Sequence, residues 1–294
     1  MSNKEVKVVI LGGSGHLGKS VFDRFKGMEG VDVRGTYYEN RPKTNSDDDF
    51  MYFNAGASHL DQDTLDVIAS ADFVFNFMQP KRADHFDSVL FDTPLRLAEL
   101  VKEKGGAFIS FGGNVNENNA DSDSSKAIRR LSNVLTERGL GSSIYTSLVL
   151  DSKSRLIARI ASLSKYKLTP LVGDGGNRIT PLHVTDFSMI VARLISKRLN
   201  PYEYELFGRE TMTFRHLISI TCSQKKMYSP IFLNIKKSIF LNNKGFFEGL
   251  FDIKLSRYDI NELDYKESKG REDLCKFLRV KPLSFDARVK REGL

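Results

Sequence analysis

Three glycines near the amino terminus, Gly12, Gly15 and Gly18, follow the spacing G-x-x-G-x-x-G. The apolar run Val8-Val9-Ile10-Leu11 precedes them, and Val21, Phe22 and Phe25 follow at helical spacing. These residue types in this order suit phosphate binding. Gly12 permits a tight turn off a strand, Gly15 lets the backbone approach a pyrophosphate, and Gly18 lets the next helix lie close to the strand. Ser14, His16 and Leu17 fill the intervening positions, where free N–H groups and the dipole of a helix start face an anion. In a strand-turn-helix setting the motif predicts dinucleotide binding through Gly12, Ser14, Gly15, His16, Leu17 and Gly18; outside it the same glycines would make a flexible loop.

Other candidates fall at positions that such a site would reach. The run Val31 to Tyr38 reads as a second strand whose end should meet the adenosine ribose. Tyr38 can stack beside adenine and Arg41 can pair with a 2′-phosphate, whereas Glu39 can hold an unmodified ribose. The balance favours NADP(H) over NAD(H). Ala71 to Met78 reads as a buried strand ended by Gln79-Pro80, so the backbone at Phe77, Met78 and Gln79 is a candidate ribose contact. Further along, Arg178 can bind a substrate phosphate or carboxylate. His183 titrates near neutrality and suits either proton transfer or a structural hydrogen bond.

The elements that must position these residues alternate. A polar loop at 42–49 leads to a short strand at 50–53 and a helix at 61–70. A helix then spans 85–104, a strand 107–111, a polar loop runs to Ser122, and a helix covers 125–138. Another strand follows at 143–149. This alternation predicts an α/β fold, a doubly wound parallel sheet covered on both faces. From Asp151 the period weakens, with helices at 155–164 and 186–196. The expected organisation is a dinucleotide-binding domain over 1–150 and a smaller mixed substrate or partner lobe over 151–294, interleaved with the first.

Bulk properties agree with a globular chain. The 294 residues are 40% hydrophobic and 28% charged, and no apolar stretch approaches the roughly 20 residues that cross a bilayer. The first residues run straight into a strand with no apolar leader, so a cytoplasmic location is expected. Cys222 and Cys275 are too few and too far apart for a metal motif. The net charge of +7 is uneven: residues 1–190 carry 23 Lys and Arg against 24 Asp and Glu, and residues 191–294 carry 21 against 13. A basic third suits an acidic partner, an anionic membrane surface or a phosphorylated substrate, or is simply a solvated face. No nucleic-acid module frames it, so nucleic acid is not an expected partner.

The glycine turn carries a family likeness, together with the spacing of Phe108-Ile109-Ser110 to Ser122-Asp123-Ser124-Ser125-Lys126 and the segment Val172 to Arg178 leading to His183-Val184-Thr185-Asp186. On these motifs the chain resembles the extended or atypical short-chain dehydrogenase/reductases over nearly its whole length. Its layout is similar to the atypical branch that includes the nucleotide-binding accessory subunit of respiratory complex I. The resemblance implies a Rossmann fold, a nicotinamide cofactor, and Arg178 and His183 on the substrate side of the cleft. It also implies a catalytic group in which a tyrosine acts as acid/base, a lysine four residues later holds the nicotinamide ribose, and a hydroxyl at the end of the fifth strand orients the substrate. Lys126 fits the lysine position and Ser110 the strand hydroxyl, but Ser122 stands where the tyrosine belongs. A serine is a much poorer proton donor near neutral pH than a phenol whose pKa is lowered by a cation. The expected function is therefore an NAD(P)-binding oxidoreductase- or epimerase-like protein with nonstandard acid/base, acting on a small carbonyl or nucleotide-linked sugar. The alternative is a non-catalytic NADP(H)-binding subunit or sensor that meets a protein partner through its basic lobe.

Overall fold

The computed structural model describes residues 5–44, 46–57, 59–80, 86–113, 123–164, 168–172, 175–176, 178–197, 199–236 and 271–294. Five strands alternate with helices in the first part of the chain: β1 (Val6–Leu11), α1 (His16–Lys26), β2 (Val31–Tyr37), β3 (Phe50–Tyr52), α2 (Gln62–Ala69), β4 (Phe73–Asn76), α3 (Thr93–Glu103) and β5 (Ala107–Gly113). Then come α4 (Asp123–Glu137), β6 (Gly141–Thr146) and β7 (Val149–Leu150). The boundaries follow local chemistry. Asp61 caps α2 by accepting from the Thr64 N–H at 2.9 Å, and Pro94, which has no N–H to donate, follows directly on a π turn, where the hydrogen-bond spacing of the helix changes. The single helix expected over 85–104 is a π turn at 88–92 running into α3, and the strand expected at 143–149 divides into β6 and β7 around Ser147 and Leu148.

The main sheet is an eight-stranded parallel sheet in the order β14-β11-β6-β5-β4-β1-β2-β3. Here β11 is Glu203–Leu206 and β14 is Glu272–Asp273, so chain well beyond Leu150 completes the sheet. Strand β1 lies inside the sheet between β4 and β2, and its alternate side chains enter two cores. Val8 and Ile10 join Val21, Phe22 and Phe25 of α1, while Val9 and Leu11 face Leu65 and Ile68 of α2 and Leu97 and Val101 of α3. Burying each such side chain contributes about 1.5–3 kcal/mol, so covering both faces makes the sheet self-consistent.

A second lobe has its own core. It is built from α5 (Arg155–Leu163), β8 (Leu168–Val172), β9 (Arg178–Ile179), β10 (Leu182–His183), β12 (Met212–Thr213), α7 (Phe214–Gln224) and β13 (Ile231–Ile235). Ile157, Ile160, Leu171, Ile179, Leu217 and Ile218 are buried there with Phe285 and Val289 of α9 (Phe285–Glu292). Helices α6 (Val184–Ala192) and α8 (Leu274–Leu278) pack into the first core, where Phe187, Val191 and Leu274 are buried. Asp186 of α6 accepts two hydrogen bonds from the Arg288 guanidinium of α9, with both side chains under a tenth exposed. Arg288 also donates to Glu292 at 2.7 Å, and Glu292 accepts from the Thr185 hydroxyl at 2.6 Å. Burial works to raise the Glu292 carboxyl, but the bonds from Thr185 and Arg288 outweigh it and hold the group below its ordinary range.

Arg288→Ala would leave the Asp186 carboxylate buried and unpaired, and should lower the unfolding free energy by about 3–5 kcal/mol in urea titration. The double substitution Asp186→Leu with Arg288→Met should recover most of that loss; a double variant as unstable as the single would contradict this assignment.

Candidate functional site

The site is built where β1 ends. The strand order reverses on either side of β1, since β2 follows it in one direction and β4 in the other, and this switch point opens a crevice at the carboxyl ends of the strands. Gly12 turns the chain with a φ of 71°. A Cβ there would stand 2.9 Å from the backbone C and O of Phe77, and one on Gly18 would stand 2.3 Å from the Gly12 carbonyl oxygen. These two positions accept no side chain because three backbone segments meet at them. Thr36 of β2 fastens the turn: its Oγ1 accepts from Gly12 N at 2.9 Å and its carbonyl from Ser14 N at 3.1 Å.

Gly15 is the N-cap of α1 and has no side chain with which to cap it. The first N–H groups of a helix have no acceptor within the helix, so those of His16, Leu17 and Gly18 point outward with the positive end of the helix dipole behind them. An anion placed there would meet convergent donors.

On the other wall, Phe77 N donates to the Leu11 carbonyl at 2.9 Å and Met78 N to Asn76 Oδ1 at 3.1 Å. Phe77 and Met78 are buried, while Gln79 is exposed. At the far end of β2, three tyrosines gather. Tyr37 meets Tyr52 edge-on with ring centres 5.8 Å apart, Tyr38 lies 6.2 Å from Tyr52, and the Arg41 guanidinium stands 5.9 Å from the Tyr37 ring. Tyr38 and Tyr52 are about half exposed. Sequence reasoning named Tyr38 and Arg41 but missed Tyr52. The signal for it was the parallel pairing of β3 with β2, which sets Tyr52 beside Tyr37.

The remaining candidates separate. Ser110 is buried and its hydroxyl accepts from Asn76 Nδ2 at 3.2 Å. Beside it, Phe111 stacks on Phe77 with ring centres 4.4 Å apart, and both meet Phe187 of α6 edge-on. Lys126 is exposed and shares a row at helical spacing with the exposed Arg130, Asn133 and Glu137, opposite the buried Ser124, Ala127 and Leu131. Ser122 lies outside the described residues. Arg178 is exposed on β9, which pairs with β12. His183 is buried and caps α6, its Nδ1 accepting from Thr185 N at 3.3 Å. Burial pushes its pKa down, against the raising influence of Glu292, Asp151 and Asp186. Tyr145, a possible substitute for the missing tyrosine, is fully buried under the Arg271 guanidinium, 3.5 Å above its ring. Its hydroxyl donates to Glu203 at 3.3 Å, and burial pushes the phenol up to about 12. Among the described residues no group of three or more His, Cys, Asp and Glu could hold a metal, and no helix is long and apolar enough to cross a membrane.

No protein-family model matches the chain, and no curated protein is similar to it in sequence. Solved structures with the same fold are numerous. A nucleoside-diphosphate-sugar epimerase of Staphylococcus aureus matches 97% of this chain and 100% of its own, with a TM-score of 0.67 at 14% identity. A dTDP-4-dehydrorhamnose reductase of Bacillus anthracis, solved with NADP, matches 98% of each chain with a TM-score of 0.66 at 11% identity. A dTDP-glucose 4,6-dehydratase from the same organism, solved with NAD, covers 88% of this chain and 94% of its own with a TM-score of 0.62 at 14% identity. The chain therefore shares the fold of these structures, a Rossmann-type doubly wound parallel sheet.

Tyr145 should contribute no phenolate below about pH 11, one unit under its raised value. Difference absorbance between the wild type and Tyr145→Phe across alkaline pH checks this; an ionisation near pH 10 that the variant lacks would contradict it.

Proposed function

We propose that the chain binds a nicotinamide dinucleotide along the crevice at the end of β1, and NADP(H) in preference to NAD(H). The observation that carries this reading is the glycine turn itself: an uncapped helix start, held by Thr36, at the switch point of a parallel sheet. In the reading, the N–H groups of His16, Leu17 and Gly18 face the pyrophosphate, while Ser14 and Gly15, whose N–H groups donate to the Thr36 and Gly12 carbonyls, shape the turn beside it. The backbone from Phe77 to Gln79 borders the nicotinamide half. Tyr38 and Tyr52 flank adenine, and Arg41 meets a 2′-phosphate. Solved structures with this fold include complexes with NADP and with NAD, which supports the cofactor class.

On this cofactor the chain acts as an oxidoreductase- or epimerase-like protein on a small carbonyl or nucleotide-linked sugar. Ser110, Ser122 and Lys126 would form the nearest equivalent of the catalytic group, with Arg178 and His183 on the substrate side. One observation favours a second reading, a non-catalytic NADP(H)-binding subunit or sensor with a protein partner on its basic lobe. The end of β5 carries stacked phenyl rings beside a Ser110 already bonded to Asn76, and Lys126 faces away from the buried side of α4. Turnover of bound NADPH against carbonyls and sugar nucleotides separates the two, since tight binding with no oxidation of the cofactor supports the subunit.

Titration followed by nicotinamide fluorescence should show NADPH binding more tightly than NADH, and Arg41→Ala should narrow that preference by about tenfold, the loss of one charge-assisted pair. Equal affinities in the wild type would remove the assigned role of Arg41. In Gly15→Val the backbone at φ −73° and ψ 166° suits any residue, and the added Cβ stands 3.2 Å from the Gly12 carbonyl oxygen, so the turn must yield by a few tenths of an ångström; the variant, its fold checked by circular dichroism, should weaken NADPH binding by at least about tenfold by filling the space beside the pyrophosphate. Unchanged affinity in this variant would sink the site.

A further inference from the structure

The side chain of His16 leaves the glycine turn and enters the second lobe. Its Nε2 lies 3.1 Å from Asp151 Oδ1 and 3.4 Å from Ser154 Oγ. Asp151 is held in place for this contact by its own turn: the same Oδ1 accepts from Lys153 N at 2.9 Å and from the Ser154 hydroxyl at 3.0 Å, while Ser154 Oγ accepts from Asp151 N at 2.8 Å. To serve a carboxylate, His16 must carry its proton on Nε2. Ser154 is buried and is the N-cap residue of α5, so the turn that receives His16 is also the one from which α5 starts. Just before it, Leu150 of β7 pairs with His183 of β10.

Residue 16 thus acts in two directions. Its backbone N–H belongs to the uncapped first turn of α1, and its imidazole contacts the head of α5. An anion bound at the first turn would satisfy N–H groups that otherwise lack partners, and so fix the backbone from which the imidazole is aimed.

We propose that His16 is a positioning residue that couples occupancy of the dinucleotide site to the ordering of the 151–154 turn and α5. This rests on the dinucleotide reading above. With the nucleotide bound, the contacts of the His16 imidazole with Asp151 and Ser154 hold the head of α5 against α1. By thermodynamic reciprocity, a ligand that orders the second lobe tightens nucleotide binding by the same factor.

Amide hydrogen exchange on the full chain, with and without saturating NADPH, tests the coupling. In the wild type, NADPH should slow exchange across residues 155–163 by about fivefold or more. His16→Ala, Asp151→Ala and the double variant, each saturated with NADPH, should lose the same part of that protection, because two substitutions that break one contact are not additive. His16→Gln, whose amide can donate to Asp151 in place of the ring, should restore part of it, which also serves if the alanine variants fold poorly. Wild-type protection unchanged at saturation, or retained in full by His16→Ala, would overturn the coupling while leaving the dinucleotide site standing. Failure of the wild type to bind NADPH would overturn the dinucleotide reading and the coupling with it.

Discussion

Three backbone segments converge at Gly12, and the space between them leaves no room for a side chain. The carboxyl end of β4 lies against one side of the turn, Gly18 of α1 against another, and Thr36 of β2 holds it by two hydrogen bonds. This contact sets the spacing of β1 from its neighbours and the angle at which α1 leaves the sheet. The two cores then follow, because Phe22 and Phe25 reach Val8 and Ile10 only if the helix lies this close. The crevice is the space that remains at the strand ends once that approach is made. Stability and the ability to receive an anion therefore come from one geometric requirement.

The first half of the chain was legible because its signals are local. The continuous apolar run Val8 to Leu11, helical spacing after Gly18 and the Asp61 cap each depend on a few neighbouring residues, and each element appears within a few residues of its expected place. Other features needed partners that are distant in sequence. Strands β11 and β14 are four and two residues long and acquire their identity from pairing with β6 and with each other. The start of α6 was misplaced by two residues because its cap is His183, a residue outside the usual capping set.

The site divides in the same way. Its phosphate-facing half is backbone geometry, which glycine spacing reports directly. Its other half depends on which side chains face one another, and spacing alone misleads there. Lys126 stands four residues after Ser122 as the resemblance requires, yet the burial pattern of α4 turns it to solvent. His183 titrates near neutrality in water, but in the fold it is a buried cap. His16 entered the reading for its backbone alone, and its contact with Asp151 spans 135 positions of chain that no local pattern connects.

Strand β14 and helix α9 give the molecule a particular order of assembly. The outer edge of the main sheet is Glu272–Asp273, and the helix that locks α6 through Arg288 begins at Phe285. During synthesis, β1 to β6 can pair soon after emerging from the ribosome, but β11 stays an open edge until residue 272 is free. Through that interval its unpaired N–H and C=O groups offer a template for another strand. The closures that end this exposure join residues 68 and 102 positions apart, by the Glu203–Arg271 and Asp186–Arg288 pairs. Long-range contacts of this kind form slowly, so the folding of this chain completes after translation has passed both arginines, and its aggregation risk is concentrated at one edge before that moment.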